Sequence, residues 1–200
     1  MSVDTTVTAE EAAAVRAELP ELELIEDPQV RERLVALWAG FLRESSYASI
    51  GAAPAFPGLP RYDLARHTRQ VVRNSMHLAD TMEEFWGLSC DRESLLAAAL
   101  AHDASKLVEL EGQEGTKSEL GRALLHAQLA GVRCLDVGLS PKVAHLVTLH
   151  PFTPPHVHVN PQYVEFVILS WADLAAADTV FFLEGKPTHL EFAKRFFQLD

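Results

Sequence analysis

The stretch Leu95-Leu96-Ala97-Ala98-Ala99-Leu100-Ala101-His102-Asp103-Ala104-Ser105-Lys106 constrains the fold more than any other part of the chain. Its apolar run follows Asp91, a natural helix cap, and predicts a helix with no polar face. The run ends in a histidine and an aspartate. One and two turns back from His102 lie Ala98, Ala99 and Leu95; Asp103 looks back on Ala99, Leu100 and Leu96. Both polar groups therefore fall where the helix faces a core. An imidazole and a carboxylate buried side by side are costly unless partners satisfy them. Two remedies fit this stretch on its own. One is a metal ion, and the other is a His-Asp pair hydrogen-bonded at a helix end.

The surrounding chain reads as helix throughout, so the expected fold class is all-α. Thr8 and Glu11 form a capping box for a helix closed by Pro20, and Asp27-Pro28 starts a second through Leu34, Trp38 and Phe41. These accessory helices and the Gly/Pro-rich loop 49–60, read as a plain connector in preference to a lid, make up residues 1–60. Residues 61–200 form the main unit of what is expected to be one compact domain. Asp63 caps a long helix to Trp86 with Val71, Val72, Ser75, Met76, Ala79, Met82, Phe85 and Trp86 inward. Ser118 caps one running to Leu135, and Ser140-Pro141 starts another. Asn160-Pro161 begins a central helix that is apolar nearly all round, and a last helix is expected from Thr188 through Phe192, Phe196 and Phe197. No run alternates like a strand.

Helical periodicity sorts the histidines. His67 lies one turn before Val71 and joins an inner face, whereas His77 sits among charges. His126 lies between Ala123 and Ala130, which leave room for a ring. His150 shares the face of Val143, Leu146 and Val147, while His145 falls beside Lys142. Asp173 stands alone in the central apolar helix. With His102 and Asp103 this makes four imidazoles and two carboxylates pointing inward from five helices, enough for two metal ions. Asp103, with two oxygens, is the natural bridge, and ions about 3.5–4 Å apart activate a water between them.

The order H…HD…H…H…D resembles the HD-domain superfamily of metal-dependent phosphohydrolases. Arg66-His67-Thr68-Arg69-Gln70-Val71 resembles its first-histidine helix, and Leu100-Ala101-His102-Asp103-Ala104-Ser105-Lys106 is similar to its HD-x-G-K signature. His126-Ala127-Gln128-Leu129-Ala130-Gly131 and Ala172-Asp173 resemble the third-histidine and closing-aspartate segments. The likeness covers residues 61 to 183. Ser105 departs from the usual glycine, and no Gly-Tyr-Pro follows His150, which disfavours a cyclic-dinucleotide phosphodiesterase. The resemblance implies an HD helical bundle holding two divalent ions. One would sit on His67, His102, Asp103 and Asp173, the other on Asp103, His126 and His150.

The expected activity is hydrolysis of a small phosphoester or nucleotide by a metal-bridging hydroxide. Lys106 would bind a substrate phosphate or carboxylate, with Arg66 and Lys142 as further candidates. His156 and His158, in the loop after His150, would contact substrate or close the mouth. An alternative comes from a minority branch of the superfamily that holds two irons and uses oxygen on a small molecule. A third reading is a metal-binding regulatory module without turnover. Iron or manganese lead as the expected ions; magnesium, cobalt, nickel and zinc also suit these donors. The net charge of -11, with no block of Lys and Arg, argues against general nucleic-acid binding. The longest apolar run, 166–172, is too short to span a bilayer, and the polar start reads as no signal peptide. Cys90 and Cys134, far apart, suit free thiols in a reducing cytoplasm. The expected partner is a small-molecule substrate, and a homodimer is compatible with the sequence.

Overall fold

The computed structural model describes residues 6–151, 160–189 and 191. Among these residues the fold is all-α apart from one hairpin of two-residue strands. Helix α1 (Ala9–Glu18) begins with the reciprocal Thr8–Glu11 capping box. Helix α2 (Pro28–Glu44) begins on Asp27, whose side chain accepts from the Gln29 N–H. Val15, Leu34, Trp38 and Phe41 from these helices are buried in the same cluster as Leu95 and Leu100.

Helix α3 (Leu64–Trp86) is capped by Asp63 and ends at Gly87, whose φ of 62° is the left-handed conformation that glycine tolerates. Its inner face is buried as far as Ala79. Phe85 and Trp86, expected inside, are 69% and 84% exposed, because the helix runs past the end of the bundle. Helix α4 (Arg92–Ala101) carries the apolar run and packs against α3. Next come α5 (Lys106–Glu109) and strands β1 (Leu110–Glu111) and β2 (Thr116–Lys117), which pair antiparallel.

The single helix expected from Ser118 to Leu135 is two, α6 (Glu119–Ala123) and α7 (His126–Asp136), with Leu124 and Leu125 extended between them. Helix α6 lies so close to α5 that a Cβ at Gly121 would strike the Glu109 carbonyl. The break lets α7 leave in a new direction to pack on α8 (Pro141–Leu149).

Helix α9 (Val164–Leu183) runs beside α3 and buries Ile168, Leu169, Ala172 and Ala176. Its 20 residues, with a window of mean hydropathy 1.7, are long and apolar enough to cross a membrane by length and composition, so the short run 166–172 understated it. That apolarity is spent partly on the core, while Val167 and Trp171 remain exposed. The terminal helix expected through Phe192, Phe196 and Phe197 lies beyond the described residues except at its start.

Loop 49–60 is more than a connector. Ala53, Pro54, Ala55, Phe56 and Leu59 are buried, and Ala55, Phe56 and Leu59 form a small second core with Ala177 and Val180 of α9. The loop lies across the ends of α3 and α9, and there the polar residues of the core converge.

Candidate metal centre

Three of the four inward histidines stand at helix ends. His102 and His150 occupy the C-terminal caps of α4 and α8, both with right-handed helical backbone. Each ring turns back on its own helix. His102 Nδ1 lies 2.8 Å from the Ala99 carbonyl and His150 Nδ1 2.7 Å from the Val147 carbonyl. A carbonyl at that distance is served by an N–H, so Nδ1 carries the proton and Nε2 presents its lone pair to the interior. These contacts also satisfy carbonyls that a helix terminus leaves free. His126 is the first residue of α7, and the break at 124–125 puts it there. His67 projects from the first turns of α3.

The four Nε2 atoms surround Asp103, and its two oxygens divide them. Oδ2 faces His67 Nε2 at 3.1 Å and His102 Nε2 at 3.3 Å. Oδ1 faces His126 Nε2 at 3.3 Å and His150 Nε2 at 3.8 Å. Asp173 closes the group from α9, with Oδ1 3.1 Å from His67 Nε2 and Oδ2 3.9 Å from His150 Nε2. Two donor sets result, each with ligand atoms within 4.8 Å of one another: His67, His102, Asp103 and Asp173; and Asp103, His126 and His150.

The donor chemistry fits divalent ions. Asp103 is fully buried, and although the Lys106 ammonium pairs with Oδ2, neither oxygen receives a well-oriented hydrogen bond from the histidine nitrogens around it. His67 Nε2 and His102 Nε2 lie 3.4 Å apart, a distance at which two facing lone pairs need a proton or a cation between them. Imidazole and carboxylate together suit iron, manganese, cobalt, nickel or zinc. Burial works against the charge on Asp103, but Lys106 and His102 hold its carboxyl well below the usual carboxylate range. Burial also opposes ionisation of Asp173, and His67 and His102 together outweigh it. Burial, aided by His102, pushes His150 down to about 3, so it is neutral near pH 7. Burial alone would lower His67, but Asp103 and Asp173 beside it raise it. An ion held between these groups would therefore compete with a proton on His67.

Lys106 is buried at the edge of the cluster. Its ammonium lies 2.6 Å from Asp103 Oδ2, donates to the Ala55 carbonyl at 2.9 Å and sits 5.1 Å from the Phe56 ring centre. Phe56 also meets the His67 ring edge-on at 5.1 Å. Arg66 is exposed on α3 and is not among the residues gathered around Asp103. Lys142 is placed elsewhere. It pairs with Glu165 at 3.0 Å and Asp91 at 3.3 Å, near the opposite end of α8 from His150 and about 12 Å away along that helix. Its charge pins α8 to the starts of α4 and α9. His156 and His158 lie outside the described residues. His77 is exposed, and His145 packs on Tyr163, away from the cluster.

The periodicity missed several participants. Glu109 is buried beside His126, with Oε1 3.4 Å from Nδ1. Ser105 Oγ donates to the His126 carbonyl at 2.6 Å, so the departure from glycine ties the His-Asp turn to α7. Glu109 follows Lys106 by three residues, one helical turn, and that spacing was the only local signal for it.

This fold and this arrangement of donors define an HD-type helical bundle with two sets of side chains that could hold metal ions. The HD domain family profile matches residues 64–178, more than half of the chain, and the protein belongs to that family. Among curated proteins it is similar to the dihydroneopterin 2′,3′-cyclic phosphate phosphodiesterase of Methanocaldococcus jannaschii, 29% identical over 119 residues. The match takes in 58% of this chain and 47% of the relative, so the chain spans about half of that relative's length. No solved structure matches the chain.

Proposed function

We propose that the protein is a metal-dependent phosphohydrolase acting on a small phosphoester or nucleotide. The observation that carries the reading is Asp103, a buried carboxylate whose two oxygens each face a separate set of histidines. His67, His102, Asp103 and Asp173 would hold one ion, and Asp103, His126 and His150 the other. When bound, two such ions supply Lewis acidity and a water activated between them for attack on phosphorus.

The chain's own residues supply the rest. Asp103 and Asp173 provide the negative charge that retains the cations. The backbone carbonyls of Ala99 and Val147 fix two rings so that Nε2 faces inward. Lys106 is the cation nearest the donors and supplies charge for a substrate phosphate. Phe56 and the buried part of loop 49–60 keep water from the His67 side. Asp173 and His126 are the partly open members, with side chains 18% and 20% exposed, so substrate approaches from their side. The name of the archaeal relative makes cyclic phosphodiesters the first compounds to try.

The test is metal analysis of protein purified without oxygen, joined to phosphate release from cyclic and linear nucleotides. About two ions per chain and manganese- or cobalt-stimulated hydrolysis support the proposal, and Asp103→Ala should lose both ions. Full metal content in Asp103→Ala would sink the bridging assignment. The six-donor set also supports the oxidative reading. Two irons, a mixed-valent resonance signal and substrate-dependent oxygen uptake without phosphate release would replace hydrolysis by that chemistry.

A further inference from the structure

We infer that Glu109 is the positioning residue for His126 and through it sets the affinity of the second ion position. The inference rests on the reading of His126 as a ligand there. Each of the two histidines at helix C-termini finds an acceptor for Nδ1 three residues back on its own helix. His126 has no such carbonyl behind it, because it opens α7 and the two residues before it are extended. Its ring needs an acceptor from another element. Glu109, the last residue of α5, stands there: its Oε1 is 3.4 Å from Nδ1, on the far side of the ring from Asp103.

The placement of Glu109 is built in from several sides. The side chain is buried, and Lys117 of β2 pairs with the same oxygen. The Glu109 carbonyl receives the Ser118 N–H at 2.9 Å, and Gly121 lets α6 press onto that carbonyl. Ser105 holds the His126 carbonyl from the opposite direction. The hairpin and α6 thus hold a carboxylate behind one imidazole. An Nδ1–H donated to it leaves the Nε2 lone pair facing Asp103 Oδ1, and a carboxylate acceptor makes that nitrogen a stronger donor than a carbonyl would. The Nδ1–Oε1 contact is long for a hydrogen bond and has room to tighten when the ring is drawn onto an ion.

The experiment titrates cobalt(II) into the metal-depleted full chain. Calorimetry and visible absorption resolve the two binding events, and nitrogen-15 spectra of the imidazoles report the His126 tautomer. Glu109→Leu keeps the volume and removes the acceptor. It should weaken the second ion about 10–100-fold, leave the first unchanged and lose the fixed Nδ1–H form of His126. Glu109→Gln keeps an acceptor oxygen without the charge and should recover most of the tautomer signal and part of the affinity. His126→Ala separates this inference from the reading beneath it. If His126→Ala loses the second ion while Glu109→Leu keeps it at wild-type affinity with the same tautomer, the role of Glu109 is refuted. If His126→Ala still binds two ions, the ligand assignment fails, and the role of Glu109 fails with it. Should Glu109→Leu not fold, Glu109→Gln decides: a second-ion affinity equal to wild type, with the first ion as internal reference, overturns the inference.

Discussion

Trp38→Phe tests how firmly the N-terminal helices hold the His-Asp corner. The indole Nε1–H donates 2.9 Å to the Leu100 carbonyl, and both residues are fully buried. Helix α4 ends at Ala101, and Ala104, which would serve Leu100 in a continuing helix, donates to Ala101 instead. Phenylalanine therefore leaves that carbonyl unpaired, at a cost of about 1–3 kcal/mol. The smaller ring also gives up roughly 40 Å² of buried apolar surface, about 1 kcal/mol more. The sum, about 2–4 kcal/mol, is a large part of a typical domain's stability. At a urea slope of about 2 kcal/mol per molar, the midpoint should fall by about 1–2 M. Phe41→Leu is the control, since Phe41 is equally buried and Arg133, whose guanidinium lies 4.7 Å over its ring, keeps its pairing with Glu44. Urea unfolding with chelator, followed by far-ultraviolet circular dichroism, measures both. A Trp38→Phe midpoint within the error of Phe41→Leu would refute the idea that α2 secures the end of α4 by this bond.

Three further outcomes are expected. Ser105→Ala removes the bond to the His126 carbonyl and should cost about 1 kcal/mol, with the second cobalt affinity falling and the first holding. In metal-free protein, the folded state keeps His150 down to about 3 while the unfolded chain titrates near 6.5, so the unfolded state takes the proton first and stability falls as pH drops from about 6.5 toward 3. His150→Gln should flatten that limb of a urea-midpoint series, and an unchanged slope would assign it to other groups. Lys106→Met strips Asp103 Oδ2 of its ammonium and should cost about 3–5 kcal/mol in chelator, with a much smaller loss in excess manganese; equal losses in both would show that no ion replaces the lysine's charge.

The residues legible in the sequence were those whose setting is decided by their own helix. His67, His102, His150, Asp103 and Asp173 could be selected because each interrupts an apolar stripe of fixed period, whereas the selection of His126 rests on a single helix through Ala123 that the break at 124–125 divides. Caps such as Asp63, Asp91 and Ser140 are equally local, and each accepts the expected backbone N–H. What stayed hidden depends on contacts between elements. The break at Leu124 and Leu125 carries neither proline nor glycine; it follows from α6 seating on the Glu109 carbonyl. Loop 49–60 has the composition of a solvated turn, yet Phe56 is buried because α9 and the His67 ring offer it surfaces far away in sequence. Lys142 shares its short-range setting with many surface lysines, and only the packing of α8 against α9 brings Glu165 to it.

The helix ends explain why six ordinary side chains are brought together as a candidate site. A histidine inside a helix projects sideways, with its two nitrogens equivalent to its own backbone. At a C-terminal cap the ring can fold back on the free carbonyls of the last turn, so forming the helix also selects the tautomer. Helices α4 and α8 each use this device, at His102 and His150. The two helices pack together, which brings the rings edge to face with centres 4.9 Å apart. Their inward lone pairs are thereby fixed by backbone geometry before any ion arrives. The position with least help from its own backbone is His126, and around it the fold spends a helix break, a serine hydroxyl and a buried glutamate. Preorganisation of this site is uneven by construction. The set His67, His102, Asp103 and Asp173 should fill first, and occupancy at Asp103, His126 and His150 should follow the integrity of α5, α6 and the hairpin.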